Sequence, residues 1–234
     1  MRRIIAVLAL VAALPLFAQQ PQAAAHPTTP QPAPATAAQP APPPVTPDQL
    51  WNALLQSNKQ FAAGKIAYDD LDKERAQFLN FQAPPVTILS CSDSRVPPEL
   101  VFHQSLGVLF VVRSAGNVAD DFGIASIEYA ILHKYTKLIV VLGHQNCGAV
   151  ASALEPADPV TPSLLDLVTR IRSSFVNIPY EQASLPRAIE ANARASAAQL
   201  LAKSHVIRDA VVSKQVKVVA AYYDFNTGLV RALD

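Results

Sequence analysis

Apolar positions along the chain fall into helical and strand-like runs that begin only after a polar, proline-rich stretch. Thr46-Pro47-Asp48 precedes Trp51, Leu54, Leu55, Asn58 and Phe61 at helical spacing. Thr46 can cap and Pro47 can open an amphipathic helix that ends near Gly64. A second helical pattern covers Asp70 to Leu79. Three β-branched apolar runs follow, Val86 to Leu89, Val108 to Val112 and Leu138 to Leu142, with helical patterns between them that include Ala125 to His133. Short continuous apolar runs alternating with helices predict an α/β fold, a central mostly parallel β-sheet flanked by helices with an N-terminal helical arm. Further helices are expected from Gly148 to about Leu154, about Ser163 to Val176, Pro186 to Lys203 and Val206 to Ser213. A last strand at Val216 to Tyr223 and a turn at Thr227-Gly228 complete the pattern.

Residues 1–18 have a different character. Met1-Arg2-Arg3 leads into an uncharged apolar run from Ile4 to Phe17 and then Ala18, the layout of a secretory signal and too short to span a bilayer comfortably. Leu16 departs from the small residue preferred near a cleavage site. From Pro21 to Pro47 there are ten prolines and no Asp, Glu, Lys or Arg. That composition can build neither a core nor a hydrogen-bonded element, so residues 19–45 read as a disordered linker and 46–234 as the folded domain. The expectation is an exported protein, periplasmic or secreted, with no membrane span in the mature chain.

Without Arg2 and Arg3 the chain carries 17 basic against 18 acidic residues. This balance gives no electrostatic case for nucleic acid or an anionic membrane as partner. Half of the residues are apolar, enough for a sizeable core.

The chain has two cysteines, Cys91 and Cys147, and in an exported protein such a pair reads first as a disulfide. Their neighbours point elsewhere. Cys91 follows the first strand run, and His144 and Cys147 follow the third, so all three sit where α/β sheets place ligands, outside the carboxyl ends of the strands. Two sulfurs and an imidazole suit Zn²⁺, and three protein ligands leave a position for water, whose pKa falls toward about 7 to give a hydroxide nucleophile. Beside Cys91 stand Asp93 and Arg95. A salt link would keep Asp93 ionised and oriented toward such a hydroxide, although an Asp and an Arg decorating a tight turn would look the same.

The segments Cys91-Ser-Asp-Ser-Arg-Val-Pro-Pro-Glu99, Phe110-Val-Val-Arg-Ser-Ala-Gly-Asn117, Ser126-Ile-Glu-Tyr-Ala130 and Gly143-His-Gln-Asn-Cys-Gly-Ala-Val150 together resemble the β-class carbonic anhydrases. With Tyr223-Asp224 and Thr227-Gly228 the resemblance spans about Thr46 to Asp234. It implies one zinc per subunit on Cys91, His144 and Cys147, and an Asp93/Arg95 dyad that orients a zinc-bound hydroxide. The implied activity is reversible hydration of carbon dioxide to bicarbonate and a proton. It also implies a homodimer or higher homo-oligomer with the arm on a neighbouring subunit, and an inactive form in which Asp93 takes the fourth zinc position. Gln82, Phe110 and Tyr129 match the substrate pocket of the plant-type subgroup, though Phe110 and Tyr129 also fit as core residues. A neutral amide and two rings suit an uncharged substrate. Ile88 stands where the group with an inhibitory bicarbonate site typically has tryptophan, which implies that this pocket is absent. Ser114 departs from the usual asparagine and puts local hydrogen bonding in doubt.

Two other functions compete: a related zinc hydrolase acting on carbon disulfide or carbonyl sulfide, and a non-catalytic zinc or redox protein with Cys91 joined to Cys147. His103, His133 and His205 read as ordinary surface or helix-end histidines rather than proton shuttles. Gly116, Gly143 and Gly148 lie at strand exits, where close approach or positive φ favours glycine. The helix opened by Gly148 is expected to favour the Cys147 thiolate.

Overall fold

The computed structural model describes residues 45–68, 70–179, 182 and 184–233. The signal peptide expected at 1–18 and the linker expected at 19–45, Val45 apart, lie outside the described residues. The element order is α1 (Pro47–Ala62), α2 (Leu71–Gln77), β1 (Val86–Ser90), α3 (Pro98–Val101), β2 (Leu109–Arg113) and α4 (Asp121–Leu132). It continues with β3 (Leu138–His144), α5 (Gly148–Leu154), α6 (Pro162–Ser173), α7 (Leu185–Lys203), α8 (His205–Val212), β4 (Lys217–Tyr223) and β5 (Val230–Ala232). Among the described residues no helix is long and apolar enough to cross a membrane.

The expected mostly parallel sheet is present, with strand order β2-β1-β3-β4-β5. The first four strands are parallel, and β5 runs antiparallel to β4. Every residue of β1 and β3 is buried, which explains why their sequences are continuous rather than alternating apolar runs. Successive side chains still point to opposite faces. Val86, Ile88, Leu138, Val140 and Leu142 enter one core, and Leu89, Ile139 and Val141 enter the other. Thr87, buried within β1, is satisfied by the Thr136 hydroxyl at 2.5 Å.

Because β2 and β3 lie on opposite sides of β1, the chain reverses its direction of winding between β1 and β3. A crevice opens outside the carboxyl ends of the strands at such a reversal, and the metal-ligand candidates stand on both sides of it.

Local signals set most boundaries. Thr46 forms a capping box with Gln49 at the start of α1, with Pro47 in the first turn. Asp120 accepts the Gly123 N–H at 2.6 Å, so α4 starts at Asp121, four residues before the Ala125 expected from apolar spacing.

Two features lie beyond what the sequence spacing indicates. Within the chain, α1 contributes Trp51 and Leu54 to the core and buries Asn58. Asn58 donates to the carbonyls of Val101 and Gly228 at 2.9 Å each and accepts the Val230 N–H at 2.8 Å. The other feature is β5, a three-residue strand missed in the sequence because its pairing depends on a turn and on Asn58, which is far away in the chain. The Thr227-Gly228 turn is formed as expected, with the Gly228 N–H donating to the Asp224 carbonyl at 2.8 Å.

Candidate metal centre

Cys91 leaves the end of β1, His144 is the last residue of β3, and Cys147 caps α5. Sequence separation is 56 residues between the sulfurs, yet the parallel pairing of β1 with β3 brings both strand ends to one place. The ligand atoms of Cys91, His144 and Cys147 lie within 4.8 Å of one another, and all three residues are buried. Both cysteines are free, with Sγ atoms 3.9 Å apart. Two thiolates held at about 2.3 Å from one tetrahedral zinc stand about 3.8 Å apart, so the spacing fits the ion and is far from a disulfide bond.

The imidazole completes the fit. His144 Nδ1 is engaged by the Gln145 carbonyl at 2.9 Å, which makes Nδ1 the donor and leaves a lone pair on Nε2. That Nε2 is buried and has no hydrogen-bond partner. A polar atom so placed is costly unless a ligand takes it, and a cation between it and the two sulfurs would do so.

The sulfurs affect each other strongly. The hydrogen bond shared with Cys147 is the largest influence lowering the Cys91 thiol well below its ordinary value, against the opposing effect of burial. The His144 side chain and the backbone at Asp93 and Gly116 add to the lowering, and the Gly116 N–H lies 3.3 Å from the sulfur. Cys147 is pushed up, first by the same bond to Cys91 and then by burial. The backbone of Val150 and Ala149 in α5 pulls the other way but is outweighed, so the expected helix effect on Cys147 is present and is not dominant. Binding a dication as two thiolates would displace any proton that the pair retains.

Asp93 and Arg95 form a closed fork. Arg95 Nε donates to Asp93 Oδ1 at 2.9 Å and Nη2 to Oδ2 at 2.7 Å, while the Arg95 N–H also reaches Oδ1 at 2.9 Å. These bonds hold the Asp93 carboxyl well below the usual carboxylate range, the Arg95 side chain contributing most and burial opposing. Asp93 Oδ2 lies 4.0 Å from His144 Nε2, beside the place where the three ligands converge.

Arg113, to which the sequence assigned no role, ties this loop to β2. Its Nε donates to the Cys91 carbonyl at 2.9 Å and its Nη2 to the Asp93 carbonyl at 2.6 Å. Gly116 has φ +67°, and a Cβ there would lie 2.7 Å from Ile171 Cδ1. Its carbonyl is held by the buried Asn192 amide at 2.6 Å. Gly148 has open space and no positive φ, so the glycine expectation fails there. Ser114, despite its departure from asparagine, is well bonded: its N–H donates to Ser90 and its hydroxyl to Val118 at 2.8 Å.

The structure does not bring the other site candidates to the ligands within one chain. Phe110 pairs with Thr87, four residues before Cys91, which is about 13 Å along the strand. Its ring stacks with Tyr129 at 6.3 Å and 22°. Tyr129 is 44% exposed, and Gln82 is exposed on the loop before β1. His103 is bonded to Ala67 and His133 to the Tyr129 carbonyl, and both stand apart from the ligands in the chain.

Comparison with known proteins gives a consistent result. The family model described as carbonic anhydrase matches residues 86–230. Carbonic anhydrase 2 of Mycobacterium tuberculosis is 35% identical over 193 residues, covering 80% of this chain and 92% of that one. A carbonic anhydrase of Mycolicibacterium smegmatis is 36% identical over 191 residues, covering 79% and 92%. Among solved structures, a tetrameric β-carbonic anhydrase of Sordaria macrospora superposes with a TM-score of 0.62 at 26% identity, covering 79% of this chain and 96% of that one. The Coccomyxa β-carbonic anhydrase in complex with acetazolamide gives 0.64 at 27% identity, covering 77% and 84%. The ligand cluster outside β1 and β3, the matching sheet and the extent of these likenesses together place the chain in the carbonic anhydrase family, in its β class.

Proposed function

We propose that Cys91, His144 and Cys147 hold one Zn²⁺ per subunit and that the protein hydrates carbon dioxide reversibly at this centre. The observation that carries the reading is the buried, partnerless His144 Nε2 facing two sulfurs 3.9 Å apart, with an ionised carboxylate 4.0 Å away. Zinc in such a site supplies Lewis acidity, which makes water acidic enough to lose a proton near neutral pH. The chain's residues do the rest. Asp93 is a fixed, charged acceptor, so it orients the O–H of the attacking water and turns the oxygen lone pair toward the carbon of the substrate. Arg95 keeps Asp93 ionised and prevents its rotation. The water oxygen bonds to carbon, one C=O bond becomes C–O⁻, and the released proton passes to buffer.

The substrate pocket is proposed to include Gln82, Phe110 and Tyr129 across a subunit boundary. Phe110 lies on the edge strand β2, and Tyr129, Phe81 and Leu106 are exposed large apolar residues. An edge strand beside exposed apolar groups is a surface that natural proteins cover. This supports a homo-oligomer, and the Sordaria relative is tetrameric. Export remains a proposal resting on residues 1–18.

Zinc stoichiometry and stopped-flow carbon dioxide hydration on the same preparation test the reading. Wild type should bind one zinc per chain and hydrate carbon dioxide, whereas Cys147→Ser should lose both. Unchanged metal content in that variant refutes the ligand set. Hydrolysis of carbon disulfide or carbonyl sulfide with carbon dioxide untouched refutes the substrate.

A further inference from the structure

Phe225 lies on the turn after β4, and its ring touches both halves of the centre. The Arg95 guanidinium carbon stands over the ring, 4.5 Å from its centroid, and the His144 ring lies 5.4 Å away, tilted by 55°. On the reading proposed above, we infer that Phe225 is a positioning residue for the hydration reaction, seating Arg95 so that Arg95 holds Asp93 in one orientation.

Arg95 needs such a seat. Its side chain is 54% exposed, and a long exposed arginine gives up rotamer freedom to hold one geometry and meets competition from water. Besides Asp93, its guanidinium has a contact to the Asn146 carbonyl at 3.4 Å, at the limit of a hydrogen bond. An aromatic face gives a weakly hydrated guanidinium a favourable surface that leaves its in-plane N–H groups free for the carboxylate.

The ring is itself fixed. It meets Tyr223 edge-on at 5.2 Å and 87°. The Phe225 N–H donates to Gln145 Oε1 at 2.9 Å, and the Gln145 N–H donates to the Tyr223 carbonyl at 2.9 Å. Asp224 Oδ1 accepts the N–H groups of Asn226 and Thr227 at 2.8 and 3.0 Å, so the turn that carries the ring is tied down as well. A closed circuit results: His144 leads through Gln145 to Phe225, across the ring to Arg95, and through Asp93 back to within 4.0 Å of His144 Nε2.

The test uses zinc-loaded full-length protein in four forms besides wild type: Phe225→Leu, Phe225→Tyr, Arg95→Ala and the Phe225→Leu/Arg95→Ala double variant. Phe225→Leu should keep its zinc and lose about three- to tenfold in kcat with little change in KM, because Arg95 acts through Asp93. Phe225→Tyr keeps the ring and should restore the rate to within about twofold. In the Arg95→Ala background the leucine change should cost nothing further, whereas a merely structural role would cost the same in both backgrounds. A readout independent of turnover is labelling of Arg95 by phenylglyoxal, followed by peptide mass. It should accelerate in Phe225→Leu and not in Phe225→Tyr. Wild-type turnover in Phe225→Leu, equal cost in both backgrounds, or unmoved Arg95 labelling overturns the inference. Wild-type protein that loads zinc but leaves carbon dioxide untouched overturns the proposed function instead, and the labelling comparison still decides whether Phe225 seats Arg95.

Discussion

Replacing Gly116 with alanine should destabilise the protein through two separable causes. The residue has φ +67°, and an L side chain held in that region costs about 1–2 kcal/mol. The new Cβ would also stand 2.7 Å from Ile171 Cδ1. Ile171 is fully buried, but Cδ1 is the end of its side chain and can swing aside, so overpacking adds about 1–2 kcal/mol, the lower part of its usual range. The sum, about 2–4 kcal/mol, is a large fraction of the stability of an ordinary domain. Urea unfolding of metal-free protein should therefore show a midpoint lower by about 1–2 M. Adding Ile171→Val removes the clashing methyl. Alone that change should cost about 1 kcal/mol, but in the Gly116→Ala background it should recover about as much. Zinc affinity should fall about tenfold in Gly116→Ala, because the N–H facing Cys91 Sγ at 3.3 Å is displaced. A Gly116→Ala protein within about 0.5 kcal/mol of wild type, or simple additivity with Ile171→Val, would refute the reasoning.

Asn58→Ala should cost about 2–4 kcal/mol in urea unfolding, since it removes three hydrogen bonds and leaves the buried backbone groups of Val101 and Val230 and the half-buried carbonyl of Gly228 without that partner; a loss below about 1 kcal/mol would show that α1 is held by its apolar face alone. Asp93→Asn should retain zinc and slow turnover by about a hundredfold through loss of the oriented acceptor, so wild-type rates would remove Asp93 from the reaction. Asp93 also makes a pH-dependent contribution to stability. Its folded pKa is depressed, so that contribution is present above the ordinary carboxylate pKa and is lost as pH falls through the folded value. The stability gap between wild type and Asp93→Asn should shrink between pH 5 and strongly acid solution, and a gap independent of pH contradicts the ion pair. Free zinc at about 100 times its Kd should stabilise wild type by about 2.7 kcal/mol and Cys147→Ser by almost nothing; equal stabilisation would place the metal elsewhere.

Much of this architecture was legible in the sequence because it depends on local rules. Val86 to Leu89 and Leu138 to Leu142 are continuous apolar runs because both faces of a central parallel strand are buried, and only such strands need that pattern. Thr46-Pro47 announced α1 because a cap and a first-turn proline act within one turn. The ligand types and their place after strand runs suggested a metal, since soft sulfurs and imidazole at strand exits carry that chemistry wherever they occur. The close spacing of Asp93 and Arg95 likewise proposed a pair before the fork was seen.

Tertiary structure decided what depends on partners far apart in the chain. Nothing near Asn58 in sequence indicates that it bonds to residues 101, 228 and 230, so neither the docking of α1 on its own chain nor the short β5 could be read. Arg113 and Phe225 acquire their roles only when β2 and the turn after β4 arrive beside the β1 loop, through contacts fixed by strand order rather than by residue type. Phe110 and Tyr129 owe their place to register as well: it sets Phe110 about 13 Å along the sheet from Cys91 of the same chain, which is why the pocket proposed for them crosses a subunit boundary. Sequence by itself determined which segments become strands and helices and which side chains can ligate a cation, because periodicity and donor chemistry are local. Which of those groups meet, at what distance and in which protonation state was decided by the fold, because distance and burial are properties of packed elements.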